Sequence, residues 1–307
     1  MRHVTSLEEL GQDKPSLITI GAFDGVHRGH QALIGQMVAA AHATERAAIV
    51  LTFFPHPSVV LRGRRPSFYL SSPEEKARYL SELGVDVTVT HPFNQAVSEI
   101  RASDFVDRLL SYARLSELWC GPDFALGHNR EGTVDFLAAE GQQRGFNVRV
   151  MAPVLIDGEI ISSTRIRQTL RDGAVDQAAR YLGRPFRLDG QVVEGAKRGR
   201  QLGIPTANLS ISDERAMPAV GVYACHAVAL DWYGQAVVNI GFRPTFAGGE
   251  ARPTVEAHLL DYSADLYGQT VSLEFVARLR PEIKFPGVPA LLEQIQRDIL
   301  EARRLLA

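Results

Sequence analysis

Cysteine is nearly absent: Cys120 and Cys225 are the only two in 307 residues, and their local contexts are unrelated. That excludes a disulfide scaffold and argues against a structural zinc site, and it suits a reducing compartment. No stretch reaches the roughly 18 apolar residues of a membrane span. The opening Met-Arg-His-Val-Thr-Ser-Leu-Glu-Glu-Leu lacks the apolar core of a targeting peptide and carries acids early. Charge of one sign is not in excess either, with 33 Lys and Arg against 35 Asp and Glu, a formal net of −2. A dedicated nucleic-acid binder carries a basic footprint, so no such partner is expected. Low-complexity tracts and internal repeats are missing too. What is present is an ordinary globular composition, 45% hydrophobic and 22% charged, at a length that fits two domains. The expectation is a soluble cytoplasmic protein.

The first half alternates strand-like and helix-like segments. An apolar run at 16–20 leads through a glycine-containing turn into a helical stretch at 31–44, and 47–54 reads as a second buried strand. Ser72-Pro73-Glu74-Glu75 supplies a cap, a first-turn Pro and early acids for a helix ending at Leu83-Gly84, and 85–90 reads as a third strand. Ser103 is placed to cap the next helix, and further strands are expected at 117–121 and 147–153 around a helix at 133–144. This alternation predicts a doubly wound, Rossmann-like parallel sheet. After Gly183-Arg184-Pro185 the rhythm changes to β-rich segments at 187–194, 220–230, 235–242, 253–261 and 270–279, closed by one helix from about 288. An antiparallel β-barrel with a terminal helix is predicted there, with domains at 1–185 and 186–307.

The turn Gly21-Ala22-Phe23-Asp24-Gly25-Val26-His27-Arg28-Gly29-His30 lies between the first strand and the first helix, where open α/β sheets bind ligands. Gly21, Gly25 and Gly29 allow a tight turn and close backbone approach, and the helix N-terminus attracts phosphate. His27 and His30, three apart, can donate to phosphate oxygens as charge builds during attack on an α-phosphate. The same pair could ligate a metal or merely cap a helix. Ile161-Ser162-Ser163-Thr164-Arg165-Ile166-Arg167 gathers hydroxyls and guanidinium groups at a second helix start, either as a polyphosphate clamp or as an ordinary Ser-capped helix. The cluster Arg62-Gly63-Arg64-Arg65 reads as a solvated loop.

A second glycine-spaced basic loop, Gly195-Ala196-Lys197-Arg198-Gly199-Arg200, runs into Pro205-Thr206-Ala207-Asn208. Gly195 and Gly199 permit backbone contact with phosphates and Lys197 offsets their charge, while the Thr206 hydroxyl and Asn208 amide are hard oxygen donors of the kind Mg²⁺ prefers. The spacing is not that of a Walker P-loop. A basic surface hairpin is the alternative.

The string Ile20-Gly21-x-Phe23-Asp24-Gly25-Val26-His27-x-Gly29-His30, followed by Ile161-Ser-Ser-Thr-x-Ile-Arg167, resembles the adenylyltransferase half of the prokaryotic bifunctional riboflavin kinase/FAD synthetase family. Thr52-Phe53-Phe54-Pro55-His56-Pro57 and Gly121-Pro122-Asp123-Phe124-Ala125-Leu126-Gly127 extend the likeness, with Leu126 standing where an aromatic is usual. The basic loop ending in Pro-Thr-Ala-Asn, Asn239-Ile240-Gly241, Val255-Glu256-Ala257-His258 and Leu266-Tyr267-Gly268 resemble the kinase half. The resemblance implies that Phe54, Pro55, His56 and Pro57 help form the flavin side and that Asp123 sits by the nucleotide. It also implies that Thr206 and Asn208 bind Mg²⁺ with ATP, and that Glu256 is the base for the ribityl 5′-hydroxyl. Read without the family, Pro55-His56-Pro57 also fits a rigid strand exit, Asp123 a turn former, and Glu256 a solvent-facing strand residue.

The expected chemistry is riboflavin plus ATP to FMN, then FMN plus ATP to FAD and pyrophosphate, with no nucleic-acid or membrane partner and no expectation for oligomeric state. Two alternatives stand beside it. One is a nucleotidyltransferase for another phosphate ester, since a fold does not name its acceptor; the other is a flavin-binding regulator without turnover.

Overall fold

A computed structural model of the chain describes residues 1–63, 68–195, 203–242 and 253–307. They fold as two compact units, one ending at Ser163 and the other comprising Thr164–Ala307 with residues 68–70.

In the first unit, short apolar runs become a wholly parallel six-stranded sheet. Its spatial order is β1 (Arg2–Val4), β4 (Val87–Pro92), β3 (Ala47–Phe54), β2 (Ser16–Ile20), β5 (Leu115–Cys120), β8 (Asn147–Val150). Side chains alternate across the central strands. Leu17, Val50 and Trp119 pack on one face with Ile34 and Met37 of α1 (Arg28–Ala43) and Leu80 of α3 (Pro73–Glu82). Ile18, Ile49 and Leu118 pack on the other with Phe105 and Leu109 of α5 (Ala102–Ala113) and Leu137 of α6 (Val134–Arg144). Both faces are covered, which is why these strands read as continuous apolar runs. Short helices α2 (Pro57–Arg62) and α4 (Gln95–Ser98) fill connections, and two small hairpins, β6 (Ala125–Leu126) with β7 (Gly132–Thr133) and β9 (Leu155–Ile156) with β10 (Glu159–Ile160), lie outside the sheet. β2 has β3 on one side and β5 on the other, so strand order reverses between β2 and β5. A crevice opens at the strand ends there.

Local signals placed most helix ends. Ser72 and Glu75 make a reciprocal capping box, with Glu75 N–H to Ser72 Oγ at 3.1 Å and Ser72 N–H to Glu75 Oε2 at 2.7 Å. Ser103 does not cap α5. The helix begins one residue earlier, and Glu131 from a distant loop accepts from Ala102 N–H (2.8 Å) and Arg101 Nε (2.7 Å).

In the second unit, six antiparallel strands close into a barrel: β11 (Phe186–Val193), β12 (Ala207–Ser210), β15 (Pro253–Leu259), β14 (Trp232–Phe242), β13 (Gly221–Ala229), β16 (Thr270–Arg280). Phe186, Tyr223 and Phe275 fill its interior, with Tyr223 edge-on to Phe275 at 5.4 Å. Five strands are expected from sequence; the sixth, β12, is the polar Ala-Asn-Leu-Ser that the sequence presents as a loop. The hairpin between β13 and β14 is also tighter than expected, turning on Leu230-Asp231 alone. Helices α7 (Ser163–Arg171) and α8 (Val175–Leu182) precede the barrel, and α8 packs on β11 and β16. The parallel α/β sheet and the antiparallel barrel with a closing helix are the architecture the sequence predicts.

That closing helix, α9 (Val288–Leu305), sets Ala302 against Val222, Ala224 and Val237. It also buries an acid, Asp298, gripped by Arg280 through Nε to both carboxylate oxygens at 3.0 Å and by Gln294 at 2.9 Å. Removing one partner strands the other's charge, so Asp298→Ala is expected to destabilise the barrel by about 3–5 kcal/mol. Urea denaturation measures this; a loss below about 1 kcal/mol, the range of an exposed pair, would contradict it.

Candidate active sites

The first site occupies the crevice between β2 and β5, a cavity of about 340 Å³. Its walls are the segments that follow β2, β5 and β8, together with Ile161 and Ser163. Of the residues predicted from sequence it brings together Gly21, Phe23, Asp24, His27, Gly29, His30, Asp123 and Ser163.

The turn after β2 is strained. Phe23 (φ 45°), Gly25 (φ 78°) and Val26 (φ 39°) all adopt the left-handed region, which only glycine enters without cost and which is an outlier for a β-branched residue. Gly21 accepts the Phe23 ring folded back on it; a Cβ there would meet that ring at 3.0 Å. Gly25 N–H donates to Ser71 Oγ (3.1 Å), Ser71 N–H donates to an Asp24 carboxylate oxygen (3.2 Å), and Ser163 Oγ donates to the Asp24 carbonyl (2.9 Å). Some of the amides expected to meet phosphate are therefore already paired within the protein.

His27 caps α1, its Nδ1 accepting from His30 N–H at 3.4 Å. Capping and a place in the cavity wall are thus not alternatives for this residue. The two imidazoles stack, centroids 3.6 Å apart and 18° from parallel, and Phe23 meets His30 edge-on. Burial, followed by the neighbouring His27 and Lys76, pushes the His30 pKa well below its ordinary value. His30 Nδ1 is buried without a hydrogen-bond partner among the described residues, as is Thr19 Oγ1 in the same wall. A buried polar atom left unpaired is costly, and a bound polar ligand removes the cost. Cys120 also lines the cavity, and burial pushes its thiol up to about 11, which keeps it protonated and unreactive.

Other predicted residues lie elsewhere. Phe54, Pro55, His56 and Pro57 sit at the C-terminal end of β3, outside the cavity lining, where His56 Nδ1 caps α2 by accepting from Ser58 N–H (3.0 Å). Arg167 is buried in the second unit, donating from Nε to the Phe68 carbonyl (2.7 Å) with its guanidinium 3.8 Å from the Phe68 ring centre; Thr164 is exposed in that unit. Leu126 is buried in the core and packs against Gly132, so the aliphatic residue leaves the Asp123 loop packed. Asp123 itself accepts from Arg130 through its carbonyl (2.8 Å).

One group is absent from the sequence expectations. Lys76, on α3, is buried with 6% exposure, and Nζ donates to the Ala22 carbonyl (2.8 Å) and Thr52 Oγ1 (3.0 Å). Burial lowers its pKa to about 8 against the opposing pull of Asp24. The available signal was its helical spacing, since Lys76 shares a stripe with Leu80 at i+4.

The second site is a cavity of about 460 Å³ in the barrel unit, walled by Gly195, Thr206 and Asn208, floored by Ala257 and Leu259, and bounded by the 262–267 loop. A Cβ at Gly195 would overlap the Asn208 amide, so glycine is required for that approach. Asn208 on β12 and Asn239 on β14 lie directly opposite Glu256 on β15, so the three share one face of the sheet, opposite to the buried Val255 and Ala257. Glu256 is half-buried there. Lys197 and Gly199 lie outside the described residues. No cluster of three metal-ligating His, Cys, Asp or Glu occurs among the described residues, and no helix among them is long and apolar enough to cross a membrane.

Comparison with known proteins joins the two sites. A family model described as FAD synthetase matches residues 10–165, and one described as riboflavin kinase matches 182–306. The chain is 39% identical to the bifunctional riboflavin kinase/FMN adenylyltransferase of Pseudomonas fluorescens, covering 94% of this chain and 92% of the relative. The chain belongs to the bifunctional riboflavin kinase/FMN adenylyltransferase family. The protein of the same description from Escherichia coli K12 is 36% identical, over 99% of this chain and 97% of that one. A crystal structure described as a macrolide-efflux protein from Streptococcus pneumoniae superposes with a TM-score of 0.90 at 30% identity, covering 98% of each chain. The family membership expected from the sequence motifs holds, and with it the enzyme class: a riboflavin kinase and FMN adenylyltransferase that makes FMN and FAD.

Proposed function

We propose that the two activities are divided between the two cavities, FMN adenylylation at the β2/β5 crevice and riboflavin phosphorylation in the barrel, with domains at 1–185 and 186–307. The observation that carries this is positional. Every residue lining the crevice lies within 19–163, inside the FAD synthetase match, and every residue lining the barrel cavity lies within 192–267, inside the riboflavin kinase match.

In the first site, Gly21, Phe23, Asp24, Gly25 and Gly29 form the nucleotide turn, with Asp123 and Ser163 as further nucleotide contacts and Phe54 to Pro57 toward the flavin. An FMN phosphate oxygen attacks the ATP α-phosphorus, the P–O bond to the β-phosphate breaks, and pyrophosphate leaves. No protein nucleophile is required. His27 and His30 stabilise the charge that builds on the phosphate oxygens, aided by the positive end of α1. A neutral His30 offers one N–H donor, and it gains a proton more readily once anionic phosphates arrive.

In the second site, Gly195 lies in the wall that takes the ATP phosphates, and Lys197 and Gly199, outside the described residues, are assigned to the same phosphates from the sequence motif alone. Glu256 accepts the proton of the riboflavin 5′-hydroxyl as that oxygen attacks the γ-phosphorus and ADP leaves. Thr206 and Asn208 would hold Mg²⁺: both are hard oxygen donors in the cavity wall, and the glycine approach at Gly195 makes room for the amide. Bound Mg²⁺ supplies charge neutralisation and orientation of the phosphates. Near-neutral net charge and two buried, unpaired cysteines support a cytoplasmic enzyme of small-molecule substrates.

Chelation tests the metal. Both steps are expected to stop in EDTA and to return with added Mg²⁺, followed by chromatography of riboflavin, FMN and FAD. Phosphorylation that persists in EDTA would remove the metal role of Thr206 and Asn208.

A further inference from the structure

Two segments meet behind the nucleotide turn without lining the cavity. From α3, Lys76 Nζ donates to the Ala22 carbonyl (2.8 Å) and to Thr52 Oγ1 (3.0 Å); from β3, Thr52 Oγ1 donates to the same carbonyl (3.0 Å). The ammonium, one hydroxyl and one carbonyl thus close a triangle, with Thr52 fully buried. Ala22 lies in the cavity wall between Gly21 and Phe23, at the start of the strained stretch.

Several ordinary roles fail to account for this lysine. Among the described residues it makes no ion pair with a surface acid, and its position in the apolar stripe of α3 could hold a leucine at no electrostatic cost. Burying an ammonium is expensive unless something needs the charge or the donors. The turn needs the donors. Phe23 and Val26 at positive φ persist only if the surroundings over-determine them, and Lys76 and Thr52 clamp the Ala22 side while Ser71 and Ser163 clamp Asp24 and Gly25. The cavity also gains a positive charge that is not hydrated away, set against the neighbouring Asp24 carboxylate, and its field reaches His30.

We propose that Lys76 is a positioning residue for adenylyl transfer, holding the Ala22 carbonyl with Thr52 so that the strained turn and its positive field are set for the β- and γ-phosphates before ATP binds. This rests on assigning adenylyl transfer to the crevice. Pre-organisation of this kind acts on polyphosphate and leaves flavin recognition alone.

The reverse reaction isolates the effect, because pyrophosphate is a substrate of adenylyl transfer only and the barrel plays no part. In the full-length Lys76→Met variant, the KM for pyrophosphate in FAD pyrophosphorolysis is expected to rise roughly tenfold or more, the loss of a charge-assisted hydrogen bond. The KM for FAD and the turnover of riboflavin phosphorylation stay within about threefold. An unchanged pyrophosphate KM, whether kcat stays or falls, would overturn the proposal, because a merely structural lysine changes the number of working sites and leaves their affinity as it was. Thr52→Val keeps the cation and removes the bridging hydroxyl. It is expected to raise the pyrophosphate KM in the same direction by a smaller factor, and it decides the matter if Lys76→Met loses the kinase step through misfolding; no change in Thr52→Val then overturns the proposal. His30→Ala separates the two levels. If it still makes FAD at the normal rate, the site assignment fails; if it does not while Lys76→Met keeps its pyrophosphate KM, only the role of Lys76 fails.

Discussion

Replacing His30 with alanine is expected to lower FAD formation by roughly 10²–10³ in kcat, the cost of losing one preorganised donor to a developing oxyanion, while riboflavin phosphorylation continues at its normal rate. The expectation follows from position. His30 sits at the start of α1, stacked on His27 at 3.6 Å, with Nδ1 buried and unpaired among the described residues in the wall of a cavity confined to the first unit. The alanine variant also loses the Phe23 edge contact. His30→Gln, which keeps a donor of similar reach, is therefore expected to retain more FAD synthesis than His30→Ala. Separate assays with riboflavin and with supplied FMN give both numbers. Equal loss of both steps would mean that His30 supports the whole fold or that the sites are not separate.

The complementary result is expected at the other site. Glu256→Gln keeps the shape and the place opposite Asn208 and Asn239 but cannot take a proton. Kinase kcat is expected to fall by roughly 10²–10⁴, with FAD synthesis from supplied FMN intact. The variant also places a neutral amide between two asparagine amides, so its folding is not expected to suffer from an uncompensated charge. Unchanged kinase turnover would remove Glu256 as the base.

Much of this was legible in the chain because the relevant signals are local. The strand, turn and helix around Gly21 to His30 follow from an apolar run, closely spaced glycines and a helical period, and the switch-point rule then places a ligand there. The barrel was legible from β-branched and aromatic runs after 185. Signals carried by distant residues were not. β12 is four residues long and becomes a strand only because β11 and β15 offer it partners on both sides. The α5 cap comes from Glu131, and no local pattern around Ser103 announces it. Asp298 reads as a polar residue of α9 until the fold sets Arg280 against it. Lys76 is the most instructive omission. A lysine in a helix is ordinarily a solvated face, and only the approach of Ala22 and Thr52 gives this one buried partners inside the fold.

The assignment of two sequential reactions to one chain is tested most directly by a time course. Purified protein is given riboflavin, Mg²⁺ and ATP, and riboflavin, FMN and FAD are resolved by chromatography. FMN is expected to rise first and FAD to follow at its expense. FAD appearing with no prior FMN, or FMN accumulating with no FAD at any time, would contradict the account.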